Sequence, residues 1–321
     1  MKKPEISIVI LNYNTKSLLK DCLDSLERVK DEASFEIIVA DNGSGDGSQE
    51  MIKKDFKWVK LVENNANLGF AAGNNRAKDS CRGNYVLFLN TDTIVKKGAL
   101  KETLNYLKKN KKVAAVSCRV ELVNGELDKD TRRSFPTPWV SLTHLALHLD
   151  RIFPKSKLFA KYWYGYIPDD VTHEVDVLQG AFFLVRKKVL DDVGWFDEDY
   201  FLDGEDIDLC WKIKKAGWKL IYYSKVKIIH LKGATKGKNK EVKKRAPLRE
   251  RLKFRMAGVN SMEIYQKIGR RCRRTLDTTV LLSKLNFQVS LRELTPTLLI
   301  SHTLMCPYFS GANTLLPSMT S

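Results

Sequence analysis

Short apolar segments alternate with helical segments near the start of the chain, and this alternation restricts the possible folds more than any other feature. The runs at 6–11, 35–40 and 85–89 are rich in β-branched and aliphatic residues and have the length of buried strands. Between the first two runs, apolar residues recur at helical spacing from Leu18 to Leu26. We therefore predict an α/β fold in which helices flank a mostly parallel central sheet.

A polar cluster follows each of these three runs directly. The clusters are Asn12–Asn14, Asp41–Ser48 and Asn90–Thr93. Ordinary loops between strands and helices are also polar, so one such cluster would carry little meaning. Three clusters indicate a ligand site, because the carboxyl edge of an open α/β sheet is where ligands bind.

Further elements are predicted along the rest of the chain. Residues 98–110 and 206–216 have helical patterns, and an amphipathic helix is expected between Val140 and Phe153. Residues 220–230 have the character of a strand.

The composition favours one large domain with an appended segment. The chain has 321 residues, of which 43% are hydrophobic, enough to form a sizeable core. After Leu231 the composition changes, because residues 232–255 contain eleven Lys or Arg and only two acidic residues. We expect an α/β domain over 1–232 and a basic, partly helical extension over 233–321 that is poorly ordered toward its end.

Charge, cysteines and hydropathy indicate the surroundings in which the protein works. The net charge of +17 predicts attraction to phosphate groups of nucleotides, nucleic acids or anionic membranes. Six cysteines without a C-x-x-C pair favour buried free thiols in a reducing compartment. The run at 6–11 is too short for a signal peptide, and no stretch approaches the ~20 apolar residues of a membrane span. A soluble or peripheral protein of the cytoplasm is expected.

Asp41 and Asp92 are the candidate ligand-binding acids of the polar clusters. The loop after Asp41 lacks the third glycine of the dinucleotide fingerprint and a Walker lysine, so Asp41 suits a base or ribose. Asp92 follows a buried strand, where an unpaired carboxylate is unfavourable. It could hold Mg²⁺ or Mn²⁺ together with diphosphate oxygens. Capping of the helix that starts near Lys97 explains Asp92 equally well.

An acidic segment flanked by aromatic residues runs from Trp195 to Trp211 and contains seven acidic residues. Glu205 and Asp206 fall at the predicted start of a helix, where the helix dipole stabilises ionised carboxylates. Capping accounts for one acid but not for the cluster, so a catalytic carboxylate is predicted here. His230 ends an apolar strand, and a lone histidine in such a place is more often structural.

The order of these segments resembles family 2 of the glycosyltransferases, which have the GT-A (nucleotide-diphospho-sugar transferase) fold, and especially its rhamnosyltransferase-like bacterial members. The likeness covers about residues 5–232 and depends on eight motifs that keep their order. These motifs are Val9–Asn14, Asp41–Ser44, Asn67–Asn75, Leu89–Asp92, Gly180–Arg186, Gly194–Asp197, Gly204–Leu209 and Ile229–His230. The D-x-D motif of the family is incomplete, because Asn90 stands at its first position.

The resemblance implies a role for each matching position. Asp206 would be the general base, with Glu205 beside it, and a Mg²⁺ or Mn²⁺ ion would be held by Asp92 and His230. Contacts with the nucleotide-sugar donor would come from Tyr13, Asp41, Asn67, Gly69, Asn74, Asn90 and Asp92. Contacts with the acceptor would come from Gly180, Trp195 and Asp203.

The resemblance also implies a reaction and its partners. The enzyme would move a sugar, with inversion, from a nucleotide-diphosphate donor to a hydroxyl of a glycan or lipid-linked acceptor in cell-surface polysaccharide synthesis. The donor favoured by the rhamnosyltransferase likeness is dTDP-rhamnose, with a UDP-sugar as the alternative. Members of the family often act at the inner face of the cell membrane. The basic run at 232–255 and the aromatic stretch Trp163–Tyr166 fit peripheral contact with an anionic membrane.

Three other readings remain open at this point. A sugar nucleotidyltransferase shares the layout, but Asn12–Thr15 stands where its Gly-rich basic loop should be. A nucleic-acid-binding protein would explain the positive charge but not the acidic segment, whose carboxylates repel phosphates. We therefore expect no nucleic-acid partner. An inactive member of the glycosyltransferase family is the third alternative.

Overall fold

The structure of the protein is a computed structural model that describes residues 3–231. Its strands are β1 (Ile6–Asn12), β2 (Phe35–Asp41), β3 (Val59–Glu63), β4 (Tyr85–Asn90), β5 (Thr93–Val95), β6 (Val113–Leu122), β7 (Arg132–Arg133), β8 (His173–Val175), β9 (Val177–Leu178), β10 (Phe182–Arg186) and β11 (Lys219–His230). The predicted extension over 233–321 and the whole basic run at 232–255 lie outside the described residues.

Helices connect most of these strands. They are α1 (Lys16–Glu27), α2 (Ser48–Asp55), α3 (Gly69–Asn75), α4 (Ala99–Lys109), α5 (Pro138–Ser141), α6 (Leu149–Ile152), α7 (Lys187–Val193) and α8 (Glu205–Lys215). Tighter 3₁₀ turns form at Lys78–Ser80 and Lys129–Thr131, and a π-helical turn forms at Leu142–Ala146.

The main sheet has two halves with different strand directions. Its order is β3-β2-β1-β4-β10-β6-β11-β5, and β8 also pairs with β11. The strands from β3 to β4 pair in parallel, as predicted. In the second half, β10 runs antiparallel to β4 and β6, β11 is parallel to β6, and β5 and β8 are antiparallel to β11. The fold is therefore α/β with a mixed sheet.

Both faces of the sheet are buried, because its strands carry apolar residues at successive positions. In β1, Ile8 packs into a core on one face and Val9 into a core on the other. Helices α1, α2 and α4 cover the first face, and α3, α7 and α8 cover the second. Continuous apolar runs of this kind are typical of strands with helices on both sides.

The polar strand ends meet at one edge of the sheet, as predicted. In the register of the parallel strands, Asn12 stands opposite Asp41, and Leu11 stands opposite Asn90. At the far end of the same edge, His230 pairs with Thr93.

The prediction of one amphipathic helix between Val140 and Phe153 is wrong. The chain forms α5, the π-helical turn and α6 in its place. His148 has a left-handed backbone (φ 48°), which ends the helical path before α6 begins. The segment that contains Val140 and Phe153 is therefore three short turns, and many of its apolar side chains do not reach the core.

The burial of the described cysteines agrees with the prediction of buried free thiols. Cys22, Cys81, Cys118 and Cys210 are buried free thiols. Burial raises the pKa of Cys22 and Cys81 to about 12, which keeps them protonated and unreactive at neutral pH. Cys272 and Cys306 lie outside the described residues.

Within residues 3–231, no helix combines the length and hydropathy needed to cross a bilayer.

Gly83 gives a test of the packing against β1. A Cβ added at Gly83 would meet the backbone nitrogen of Ser7 at 2.6 Å and the carbonyl carbon of Ile6 at 2.8 Å. We expect Gly83→Ala to lower the free energy of unfolding by about 1–3 kcal/mol in urea denaturation, because a rigid strand must shift. Gly45→Ala is the control, since no atom lies within 4 Å of its added Cβ. Equal losses in both variants would contradict this account.

Candidate active site

Asp41 is the centre of a hydrogen-bond network at the carboxyl end of β2. Its carboxylate accepts hydrogen bonds from Asn12 Nδ2 (2.7 Å), Gln49 Nε2 (2.7 Å), the Ser44 amide (2.8 Å) and the Ser44 hydroxyl (2.7 Å). Burial alone would raise the pKa of Asp41, but these donors outweigh it and lower the pKa below its ordinary value. Asp41 is therefore a buried, ionised anchor for the loop that follows it.

A row of asparagines continues this network toward α3. Asn42 Nδ2 donates to the Gly69 carbonyl (3.0 Å) and to Asn67 Oδ1 (3.3 Å), and Asn67 Oδ1 also accepts from the Gly69 amide (3.0 Å). Gly69 has φ 81°, and a Cβ there would meet the Phe201 carbonyl oxygen at 2.3 Å. Only glycine fits this approach. Asn74 is buried and bonds the Phe70 carbonyl of its own helix (2.9 Å).

Asp92 and His230 lie side by side, and Asp128 holds the histidine from behind. His230 Nε2 is 3.2 Å from Asp92 Oδ1, and His230 Nδ1 is 2.9 Å from Asp128 Oδ2. All three side chains are buried. Burial alone would lower the pKa of His230, but the bonds and charges of the two carboxylates raise it to about 9.

This donor set fits a divalent cation. Neighbouring donors on an octahedral Mg²⁺ or Mn²⁺ ion, each about 2.1 Å from it, lie about 3 Å apart. The 3.2 Å between Asp92 Oδ1 and His230 Nε2 matches that spacing. Asp128 stands where metal-binding histidines usually have a carboxylate partner. Among residues 3–231, no cluster of three or more His, Cys, Asp or Glu side chains forms a metal site. Such an ion would need ligand oxygens besides Asp92 and His230.

Asp206 lies in the first turn of α8 and forms an ion pair with Arg133 of β7. Both side chains are largely buried, with 11% and 12% exposed respectively. Burial raises the pKa of Asp206, and the attraction of Arg133 opposes part of that shift. Gly204, with φ 104°, makes the turn into the helix, and its missing Cβ leaves room for Tyr200. The acidic segment therefore places three carboxylates, those of Glu205, Asp206 and Asp208, in shielded positions.

The segment from Asp128 to Arg133 connects Asp92 with Asp206. Its first residue bonds His230, which faces Asp92, and its last residue bonds Asp206. Between them, Arg132 donates to the carbonyls of Ile167 (2.9 Å) and Pro168 (3.2 Å), which fixes the segment.

The network around Asp41 also extends toward Asp92 and toward the acidic segment. Thr15 donates its hydroxyl hydrogen bond to Asn12 Oδ1 (2.7 Å) and lies 3.2 Å from the Thr91 hydroxyl, next to Asp92. The amide of Phe70 donates to the Phe201 carbonyl in the acidic segment (2.7 Å). Hydrogen bonds thus link the Asp41 network both to Thr91, beside Asp92, and to Phe201 in the acidic segment.

The remaining predicted residues occupy different surroundings. Tyr13 is half-buried beside Asn12, Asn90 is the half-buried last residue of β4, and Glu205 is buried beside Asp206.

The three predicted acceptor residues are not equally placed. Asp203 is exposed and close enough to Asp206 to influence its pKa. Gly180 is buried and faces the Phe70 ring, which a Cβ would meet at 3.1 Å. Trp195 is 5% exposed and packs edge-on against Phe88 (5.8 Å), so it supports the site from the core.

Asp128 and Arg133 are the site residues that sequence reasoning missed. Both belong to the charged stretch 126–133, which has neither helical nor strand periodicity. A dense run of mixed charge between an apolar strand and an aromatic segment was the available signal. Such a run is usually a solvated loop, and only the structure shows that Asp128 and Arg133 are shielded and paired.

Sequence comparison identifies relatives of the chain. A family model described as "Glycosyl transferase family 2" matches residues 7–194, more than half of the chain. The rhamnosyltransferase WbbL of Escherichia coli is 27% identical over 233 residues, covering 70% of this chain and 83% of that protein. The N-acetylglucosaminyl-diphospho-decaprenol L-rhamnosyltransferase of Mycobacterium tuberculosis is 25% identical over 247 residues, covering 73% of this chain and 78% of that protein.

Structural comparison confirms the GT-A fold. The chain resembles the crystal structure of GalNAc-T7 with UDP, GalNAc and Mn²⁺, with a TM-score of 0.52 and 16% sequence identity. The match covers 71% of this chain and 44% of that one, so this chain spans less than half the length of that structure.

The Asp41 network predicts a pH-dependent loss of stability. Because the folded pKa of Asp41 is lowered, its carboxylate stabilises the fold above the unfolded pKa, and this contribution is lost as pH falls through the folded pKa. The difference in unfolding free energy between wild type and Asp41→Asn should be full at about pH 6 and shrink below about pH 4. Urea denaturation across this range measures it.

Asp55→Asn is the control, because Asp55 is exposed at the end of α2. A difference for Asp41→Asn that stays constant across the acid range would refute the network as the cause.

Proposed function

We propose that this chain, which belongs to glycosyl transferase family 2, moves a sugar with inversion from a nucleotide-diphosphate donor to a hydroxyl of a glycan or lipid-linked acceptor. The observation that carries the proposal is the link that segment 128–133 makes between Asp206 and Asp92: Arg133 pairs with Asp206, and Asp128 pairs with His230, which faces Asp92. Transfer of a sugar by displacement needs a base and a leaving-group site that are held at a fixed separation.

The favoured donor is dTDP-rhamnose, with a UDP-sugar as the alternative. Two relatives with rhamnosyltransferase names, at 27% and 25% identity over most of the chain, support this choice. The network around Asp41 supplies a fixed carboxylate at the strand end for the base or ribose of the nucleotide. Tyr13, Asn67, Gly69, Asn74 and Asn90 complete the proposed donor side.

The proposed acceptor is a glycan or a lipid-linked sugar in cell-surface polysaccharide synthesis. The name of the mycobacterial relative describes a lipid-linked acceptor of this kind. The enzyme would then work in the cytoplasm, peripherally at the inner face of the cell membrane. Asp203 is exposed and close to Asp206, so it is the proposed acceptor residue that an acceptor reaches most directly, whereas Gly180 and Trp195 are buried.

Asp206 is proposed as the general base. The acceptor hydroxyl gives its proton to Asp206 as its oxygen attacks the anomeric carbon from the side opposite the diphosphate. Burial makes Asp206 more basic than an exposed aspartate, while Arg133 keeps its carboxylate oriented. Glu205, buried beside it, contributes to the same acidic environment.

The leaving nucleotide diphosphate departs beside Asp92 and His230. A bound Mg²⁺ or Mn²⁺ ion would supply positive charge against the charge that develops on the diphosphate. Asp92 and His230 would hold that ion, and Asp128 fixes the ring of His230 through its Nδ1. One base and a direct displacement give inversion, so no nucleophilic carboxylate pair is needed.

The base assignment is tested with Asp206→Asn. We expect donor binding to be retained and transfer to fall by at least about 100-fold, because a general base contributes that much or more. Release of dTDP from dTDP-rhamnose, with Mg²⁺ or Mn²⁺ and a bacterial lipid extract as acceptor, measures transfer. Calorimetric titration with dTDP measures donor binding.

Asp199→Asn is the matched control, because Asp199 is an exposed acid of the same segment. A near wild-type rate for Asp206→Asn would remove Asp206 from the role. If no nucleotide sugar releases its nucleotide with any acceptor, the proposed function itself is wrong.

The cation site is tested by binding rather than by rate. We expect His230→Ala to weaken Mn²⁺ binding in the presence of dTDP by at least about tenfold, because even a residue behind a metal ligand contributes that much. Electron paramagnetic resonance of free Mn²⁺ measures the affinity. His144→Ala is the control, because His144 is also paired with a carboxylate, that of Asp150, but is not one of the proposed ligands. Equal Mn²⁺ affinity in both variants would show that His230 is not a ligand.

A further inference from the structure

We propose that residues 138–161, called here the apolar loop, dock the protein on an anionic lipid bilayer next to the base. This inference rests on the proposed function, because it identifies the bilayer as the source of a lipid-linked acceptor. It also changes the sequence-based expectation that Trp163–Tyr166 makes the membrane contact. The structure places Tyr164 of that stretch in the core, with only 6% exposed.

The apolar loop carries most of the exposed large apolar side chains of the described residues. They are Trp139 (47% exposed), Leu142 (40%), Leu147 (52%), Ile152 (65%), Phe153 (50%) and Leu158 (56%). Elsewhere in residues 3–231 only Trp58, Val123 and Val171 are comparable, and they are scattered. A local concentration of this kind marks an interaction surface rather than ordinary surface composition.

Contacts within the loop hold part of this surface together. The Phe159 ring lies 6.3 Å from Trp139 and 5.5 Å from Phe153, measured between centroids. Trp139 Nε1 donates to the Leu158 carbonyl at 3.1 Å. The aromatic part of the apolar loop is therefore a defined cluster, and its apolar side chains face outward from it.

The positive charge of the apolar loop favours an anionic bilayer as its partner. Arg151, Lys155, Lys157 and Lys161 are all exposed, and the only acid in the loop, Asp150, is paired with His144 at 2.8 Å. Apolar side chains with interspersed cations match the interface of a bilayer that contains acidic lipids. A protein partner of mainly apolar surface would not require these cations.

The loop leads directly to the base. Tyr162 follows the loop directly. Its carbonyl accepts a hydrogen bond from the Ser134 amide (2.9 Å), and the Tyr162 hydroxyl hydrogen-bonds to Arg133. Arg133 pairs with Asp206. A loop seated in the lipid headgroups therefore holds the base near the membrane surface, where the hydroxyl of a lipid-linked sugar is presented.

The experiment compares vesicle binding by full-length variants. Vesicles of phosphatidylcholine alone, and of phosphatidylcholine with phosphatidylglycerol, are used in flotation with wild type and Leu147→Gln/Ile152→Gln. We expect the double variant to bind the acidic vesicles at least about tenfold more weakly, since two apolar side chains no longer enter the interface. Lys155→Gln/Lys157→Gln should lose about tenfold on acidic vesicles and little on neutral ones.

Matched controls use residues outside the loop. Val123→Gln replaces a 74% exposed apolar residue, and Lys111→Gln/Lys112→Gln removes two exposed cations from another turn. Both should bind vesicles as wild type does. Circular dichroism and dTDP titration confirm that every variant is folded and binds donor.

Two outcomes would overturn the proposal. Wild-type flotation by both loop variants would show that the loop does not contact lipid. If the loop variants differ from wild type in oligomeric state in gel filtration but float as wild type does, the loop mediates contact between copies of the chain. Loop-dependent flotation without nucleotide release from any donor would instead refute the proposed function and leave the docking surface standing.

Discussion

The rest of the site depends on two buried ion pairs held by one segment, 128–133. Asp128 pairs with His230, which faces Asp92, and Arg133 pairs with Asp206. Leaving any of these charges buried without its partner would cost several kcal/mol, on the order of 3–5. The segment is therefore held at both ends, and it fixes the spacing between the proposed base and the proposed cation site.

The sheet makes this arrangement possible through its mixed topology. The parallel strands β2, β1 and β4 bring Asp41 and Asn90 to one edge. The antiparallel pairing of β5 with β11 then carries His230 to the side of Asp92. The small antiparallel pair β7–β9 sets Arg133 opposite Val177 and so places it over α8. A purely parallel sheet would end each strand at this edge but would not return β5 across it, and β7 lies with β9 in a separate two-stranded sheet.

The sequence predicted the fold class and most of the candidate site residues, but not the electrostatic partners of the proposed base and cation ligands. Asp41, Asp92 and Asp206 follow apolar strands or start helices, so local patterns locate them. Asp128 and Arg133 sit in a stretch without periodicity, and their importance comes from contacts more than 70 residues away. The amphipathic pattern near Val140 was misread for a related reason. Its apolar residues face outward, and a pattern cannot show which side of a segment meets the core.

The sequence by itself determined the alternation of strands and helices, the polar carboxyl edge and the acidic start of α8, because short-range periodicity and residue type encode these features. Only the tertiary structure decided which charges meet, that His230 lies between Asp92 and Asp128, and that the loop at 138–161 exposes its apolar side chains. The physical reason is that burial and ion pairing are properties of the assembled chain. A carboxylate acquires its partner and its pKa when distant segments close around it.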